Sequence, residues 1–189
     1  LLVRRLRQEG VVAHAVKQGE TRAILVTFNQ LLSQLKLALK AGKPSFSTLE
    51  PPGLHVMLAL FDEMKLFGPT PDVVTFNVLI AASGQVRNFG CVWHLFEEMR
   101  EAGLVPSAYT YVSIIHAYAD ASRPSEALWF LELMLQHGCC GIQNRNGQSG
   151  DVVMTALSKL GNLHSLLDQA RTGGFRLAFD HISASLKPT

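Results

Sequence analysis

Long apolar runs are missing from this 189-residue chain. A membrane helix needs about 20 consecutive apolar residues, and stretches such as Val56 to Phe61 fall far short of that. The sequence therefore implies no helical span and no membrane partner. Cysteine is scarce as well. Cys91, Cys139 and Cys140 form an odd set without framework spacing, which argues against a disulfide-stapled secreted domain and suits a reducing compartment. Net charge is also small, because 17 basic residues face 15 acidic ones for a formal +2. Neutralised phosphates supply most non-specific nucleic-acid affinity, so the balance argues against a protein that grips a long polyanion by charge alone. A local basic stripe is still allowed.

Catalytic and metal-ligating constellations are lacking too. His137, Cys139 and Cys140 cluster in sequence, with His116 a neighbour in any helical stack. Vicinal cysteines rarely share one zinc, and neither Cys-x-x-Cys nor His-x-x-x-His spacing occurs. Gly42-Lys43 has no glycine five residues earlier, as a phosphate loop requires. The run Gly147 to Gly150 lacks nucleophile-elbow spacing. No enzyme, metal or cofactor is expected.

What the chain does have is a repeat. Its residues are 48% hydrophobic and 17% charged, enough for a large core. Met64, Met99 and Met134 stand 35 apart, as do Gly68, Gly103, Gly138 and Gly173. Met57, Leu60, Phe61 and Met64 align with Val92, Leu95, Phe96 and Met99, then with Ala127, Phe130, Leu131 and Met134. Each set follows i, i+3, i+4, i+7, one face of an α-helix. The glycines predict left-handed C-caps. Pro71 and Pro106 stop the helices, and Asp72 and Ser107 offer N-cap oxygens for the next ones.

A preceding helix recurs in each unit. Phe28, Leu31, Leu32 and Leu35 match Phe76, Leu79, Ile80 and Ser83, then Tyr111, Ile114, Ile115 and Tyr118. Tyr111 is 35 residues beyond Phe76, but Phe76 is 48 beyond Phe28, so 13 extra residues separate the helices of the first unit. The proline- and glycine-rich stretch Lys40–Gly53 is expected to hold them as a loop. The expected fold is all-α: a right-handed α-solenoid of antiparallel helix-turn-helix repeats whose stacked faces share one core.

The segment organisation follows. Residues 1–24 read as an N-terminal helix or partial repeat, although the opening LLVRRLRQEG also suits a transit-peptide remnant. Residues 25–142 hold three hairpins, with the insertion at about 40–53. Residues 143–177 form a degenerate terminal hairpin, expected as Val152–Leu160 and Leu163–Arg171. Its apolar face, Leu163, Leu166, Leu167 and Ala170, is shifted by one position from the earlier units. Residues 178–189 are a tail or the start of a further helix, which Phe175 to Leu186 could build.

VTFNQLL at Val26–Leu32, PDVVTFNVLI at Pro71–Ile80, LFDEM at Leu60–Met64 and LFEEMREAGLVPS at Leu95–Ser107 resemble the pentatricopeptide motif. The tetratricopeptide signature of Trp, Leu-Gly and Tyr is absent. The resemblance covers Leu25 to about Ile142 and implies three to four repeats of the P type, without catalytic extension. Editing members need a zinc His-Glu and Cys-x-x-Cys set and cleaving members a cluster of aspartates, neither of which occurs.

The resemblance implies a mitochondrial protein, or alternatively a plastid one, that binds single-stranded RNA or ribosomal RNA with one base per repeat. Base identity is read by the fifth residue of a repeat with its last. With repeats starting at Leu25, Val73 and Ala108, the pairs are Asn29 with Asp72, Asn77 with Ser107, and Val112 with Ile142. Asn with Asp favours uracil in the family's pattern. Asn77 with Ser107 is a weaker pair, and Val112 with Ile142 offers no polar side chain. Asp72 and Ser107 have a competing job as helix caps. Specific sites need roughly 4–10 kcal/mol over non-specific ones, at about 1–3 kcal/mol per base. One orthodox pair falls short, so a subunit of a larger ribonucleoprotein, such as an organellar ribosome, is expected, with neighbouring proteins as partners. A protein-binding scaffold or accessory subunit without RNA contact is the alternative.

Overall fold

The structure is a computed structural model, and it describes residues 21–41, 53–138, 141–143, 149–151, 157–158 and 161–185. The chain forms two compact units, Leu1–Val105 and Pro106–Thr189.

The N-terminal unit contains α1 (Thr21–Ala41), α2 (Leu54–Phe67), α3 (Val73–Gln85) and α4 (Phe89–Glu101). Helix α1 packs on α2 and α3, and α3 packs on α4. The aligned apolar positions form the core. Met57, Leu60, Phe61 and Met64 of α2 are buried, as are Val92, Leu95, Phe96 and Met99 of α4. Phe28 and Leu32 are the buried members of the α1 set, while Leu31 and Leu35 are half-buried. Phe61 meets Phe76 edge to face at 5.3 Å, joining α2 to α3. Ser83, aligned with apolar residues, is fully buried and donates to the Cys91 sulfur at 3.3 Å.

An ion-pair network ties α2 to α4. The Lys65 ammonium lies 2.9 Å from Glu98 and 3.1 Å from Asp62, and 4.4 Å from the centre of the Phe61 ring. Burial works to lower the Lys65 pKa, but the bonds to Glu98 and Asp62 outweigh it and leave it raised.

The C-terminal unit contains α5 (Ala108–Asp120), α6 (Pro124–Gln136), a ladder of β1 (Gly141–Gln143) with β2 (Ser149–Asp151), then α7 (Leu163–Thr172) and α8 (Arg176–Ser185). Tyr111, Ile114, Ile115 and Tyr118 of α5 meet Ala127, Phe130, Leu131 and Met134 of α6 in a buried core. Tyr118 stacks on Phe130 at 5.6 Å. Leu166 and Ala170 of the shifted terminal face are buried, while Leu163 and Leu167 are half-buried.

The helix ends depart from expectation at two glycines. Gly103 (φ 74°) and Gly138 (φ 67°) are left-handed as expected. Gly68 is extended at φ −103° and ψ −167°, because Pro69 disfavours a helical residue before it. Its lack of a side chain still matters, since a Cβ there would stand 3.0 Å from the Met64 carbonyl oxygen. Gly173 is right-handed at φ −82°, and Gly174 takes the left-handed position at φ 76°. Non-glycine residues fill that conformation in the turns inside the hairpins, at Arg87 (φ 58°) and Ser122 (φ 59°).

Three further differences concern segments. Lys40 and Ala41, expected to open the loop, close α1; the rest of the expected insertion, residues 42–52, lies outside the described residues. The polar stretch after Gly138 contributes an antiparallel ladder with Gly141 opposite Asp151, Ile142 opposite Gly150 and Gln143 opposite Ser149. Of the expected helix Val152–Leu160, residues 157–158 are described, both helical, with Leu157 buried. The reading of residues 1–20 lies outside the described residues.

Helix α8 packs on α7 and α6, and one side chain fixes its start. Glu132 of α6 accepts from the backbone amides of Leu177 at 3.2 Å and Ala178 at 2.8 Å. These are first-turn donors with no partner inside their own helix, at the positive end of its dipole.

Two outcomes test this packing. Phe96→Ala should cost about 3–5 kcal/mol by leaving a cavity in the core; an unchanged thermal midpoint would contradict its burial. Glu132→Ala should cost about 0.5–2 kcal/mol, as loss of a cap does. Faster hydrogen exchange at Leu177 and Ala178 should accompany it, and unaltered exchange there would remove Glu132 from the capping role.

Candidate nucleic-acid interface

Each linker between hairpins presents a capping residue to the helix that follows. Pro71 ends the extended segment, and Asp72 (φ −110°, ψ 178°) sits outside α3 with its side chain turned back onto the first turn. Its Oδ1 accepts from the Thr75 amide at 2.9 Å, and the Asp72 amide donates to the Thr75 hydroxyl at 3.2 Å. Ser107 forms the same reciprocal box with Thr110 ahead of α5, at 3.3 and 2.9 Å. Both threonines are fully buried polar residues whose hydroxyls take part in these boxes. The competing job foreseen for Asp72 and Ser107 is therefore real.

Asp72 has a second occupation. Asn29, in the middle of α1 and half-buried, donates its side-chain amide to the same Asp72 Oδ1 at 3.1 Å. The Thr75 hydroxyl lies 2.7 Å from Asn29 Oδ1 and 2.9 Å from Asp72 Oδ1. The pair named from the sequence thus meets directly despite the intervening insertion. Chemically, the cluster offers an amide with unused hydrogen-bonding capacity beside a carboxylate, a combination able to meet a base edge.

The other named residues are distributed differently. Asn77 is half-buried on α3, in the N-terminal unit, and Ser107 caps α5 in the C-terminal one. Val112 is half-buried on α5, and Ile142 lies in β1. His137, raised as a metal ligand, is hydrogen-bonded through Nδ1 to the buried Tyr111 hydroxyl; Cys139 and Cys140 lie outside the described residues.

A further set escaped the sequence reading. Val26, Val74 and Tyr109 are 48%, 52% and 58% exposed, large for apolar side chains. Each falls three residues before a fifth-position residue, Asn29, Asn77 or Val112. The signal was there as an apolar residue that repeats in register but off the buried face.

Stacked helical hairpins with capped linkers define a helical-repeat protein. The PPR repeat family model matches residues 71–120, and the PPR repeat model matches residues 109–139. The hairpins of residues 71–139 are pentatricopeptide repeats. A mitochondrial pentatricopeptide repeat-containing protein of Arabidopsis thaliana is 29% identical over 142 residues, 70% of this chain and 35% of the relative. Another mitochondrial member from the same plant is 37% identical over 68 residues, 36% of this chain and 10% of its own length. A small ribosomal subunit protein of Arabidopsis thaliana is 30% identical over 80 residues, 41% of this chain and 19% of its length. The chain therefore spans about a third of the first of these and less than a fifth of the others. The mitochondrial location implied by the sequence agrees with the names of the first two.

Among the described residues, no helix is long and apolar enough to cross a membrane.

The capping role yields its own test. Asp72→Ala should lower stability by about 0.5–2 kcal/mol, whereas Asp72→Ser, which keeps a capping oxygen, should recover most of the loss. Equal urea midpoints for wild type and Asp72→Ala would show that the box carries no stability.

Proposed function

We propose that this chain is a non-catalytic RNA-contacting repeat segment of a mitochondrial ribonucleoprotein, with a ribosome or a similar RNA-processing complex as its setting. The observation that carries the reading is the direct bond between Asn29 and Asp72, 43 positions apart in sequence. In this reading Asn29 and Asp72 address uracil. Uracil offers carbonyl acceptors beside its imino donor, and the N–H that Asn29 does not give to Asp72 can donate to one of them.

Two exposed apolar side chains support the same face. Val26 lies one helical turn before Asn29, and Val74 lies two residues past Asp72; both are about half exposed. Tyr109 holds the matching register in the C-terminal unit and offers a flat ring, the kind of surface on which bases stack whatever their identity. The ribosomal relative supports the setting.

Neighbouring proteins are the second class of partner. Trp93 on α4 and Trp129 on α6 are 43% and 40% exposed, on the second helices of their hairpins. Tryptophan is enriched where proteins meet.

Titration of a uracil-containing strand and a matched guanine-containing strand at two salt concentrations tests the reading. Binding should be steeply salt-dependent with a small uracil preference. Asn29→Ala should remove that preference at a cost of no more than about 1–3 kcal/mol, leaving guanine-strand binding unchanged. Absence of binding to either strand would contradict RNA contact. A preference that survives Asn29→Ala would contradict base reading there.

A further inference from the structure

The three side chains at the start of α3 can be counted proton by proton. Asp72 Oδ1 accepts the Thr75 backbone N–H at 2.9 Å and an Asn29 Nδ2 hydrogen at 3.1 Å. Two donors occupy its two lone pairs. The Thr75 oxygen itself accepts the Asp72 backbone N–H at 3.2 Å. Its hydroxyl carries a single proton and has two acceptors in reach, Asn29 Oδ1 at 2.7 Å and the already filled Asp72 Oδ1 at 2.9 Å. The shorter contact is also the one with capacity to spare, so the proton goes to Asn29.

A ring of bonds closes. Asn29 donates to Asp72, Asp72 accepts from the Thr75 backbone, and the Thr75 hydroxyl donates to Asn29. Asp72 alone would hold the amide by one point, about which its plane could still swing. Thr75 supplies the second point, and two points fix a plane. Its two partners stand 2.9 Å apart and so occupy one edge of the amide; the N–H and the lone pair left over point away from each other, and the N–H is free to meet a uracil carbonyl. We infer that Thr75 is a positioning residue for base reading, because its hydroxyl fixes the plane in which the Asn29 amide meets a base. This inference rests on the base-reading function proposed above. Thr75 is fully buried, so its action is through Asn29 and not by contact with RNA.

The experiment compares Thr75→Val, which keeps the shape and removes the hydroxyl, with Thr75→Ser, which restores it. Asn88→Ala is the control for lost capping. Asn88 caps α4 by accepting from the Cys91 amide at 3.1 Å and belongs to no reading pair. Two quantities are read on the full chain: hydrogen exchange of the Asn29 side-chain amide by NMR without RNA, and the ratio of uracil-strand to guanine-strand affinity.

Thr75→Val should speed that exchange and reduce the ratio about fivefold, the worth of one neutral hydrogen bond. Thr75→Ser and Asn88→Ala should leave both near wild type. Unaltered exchange and ratio in Thr75→Val would overturn the inference, as would an equal loss of preference in Asn88→Ala, which would reduce the effect to stability. A wild-type protein without uracil preference would overturn the base-reading function itself. That failure is told apart because the amide measurement needs no RNA.

Discussion

A two-helix hairpin has more apolar surface than its two helices can hide from each other. The second helix of each unit carries a buried face set by Met64, Met99 or Met134, and the first helix must meet both its own partner and the next hairpin. In the N-terminal unit α3 lies against α4 and α1 together. Shared burial is the constraint behind the 35-residue period, since a neighbour can stack only if its faces recur in the same register. A side chain adds to this packing where α8 meets α6, since Glu132 reaches across from α6 to satisfy the first turn of α8.

The same constraint places chemistry at the linkers. Stacking brings the middle of α1 beside the start of α3, where backbone amides already demand an oxygen from Asp72. One carboxylate oxygen then serves the cap and Asn29 together. Capping and reading are therefore not rival explanations of Asp72. The cap holds the carboxylate still, and a still carboxylate is what a neighbouring amide needs in order to be oriented. Ser107 keeps the capping half of this arrangement with Thr110 but brings no carboxylate.

Legibility in the sequence tracked the range of the interaction. The buried methionines and phenylalanines were readable because helical periodicity is local and repeats. Asp72 and Ser107 were readable as caps for the same reason. Gly68 misled because its period promised a left-handed cap while the next residue, Pro69, ruled that out; the information was present one position away. Gly173 misled by one residue, in step with the one-position shift of Leu163, Leu166, Leu167 and Ala170. The ladder of β1 and β2 was not legible, because its short strands GIQ and SGD carry no apolar alternation. Glu132 could not have been found, because nothing local says that a carboxylate of α6 meets amides 45 and 46 residues later. At the candidate site the family pattern supplied Asn29 and Asp72. Thr75 was hidden because its part depends on three side chains from two helices meeting.

The central claim is that the face bearing Asn29 and Asp72, and not the faces of the second helices, is where nucleic acid lies. Short-range photocrosslinking with a strand carrying 4-thiouridine tests it most directly, with the attached peptide located by mass spectrometry. Crosslinks at Val26, Asn29 or Val74, lost when unlabelled uracil strand competes, are the predicted result. Crosslinks confined to α2 and α4, around Trp93, would contradict the account.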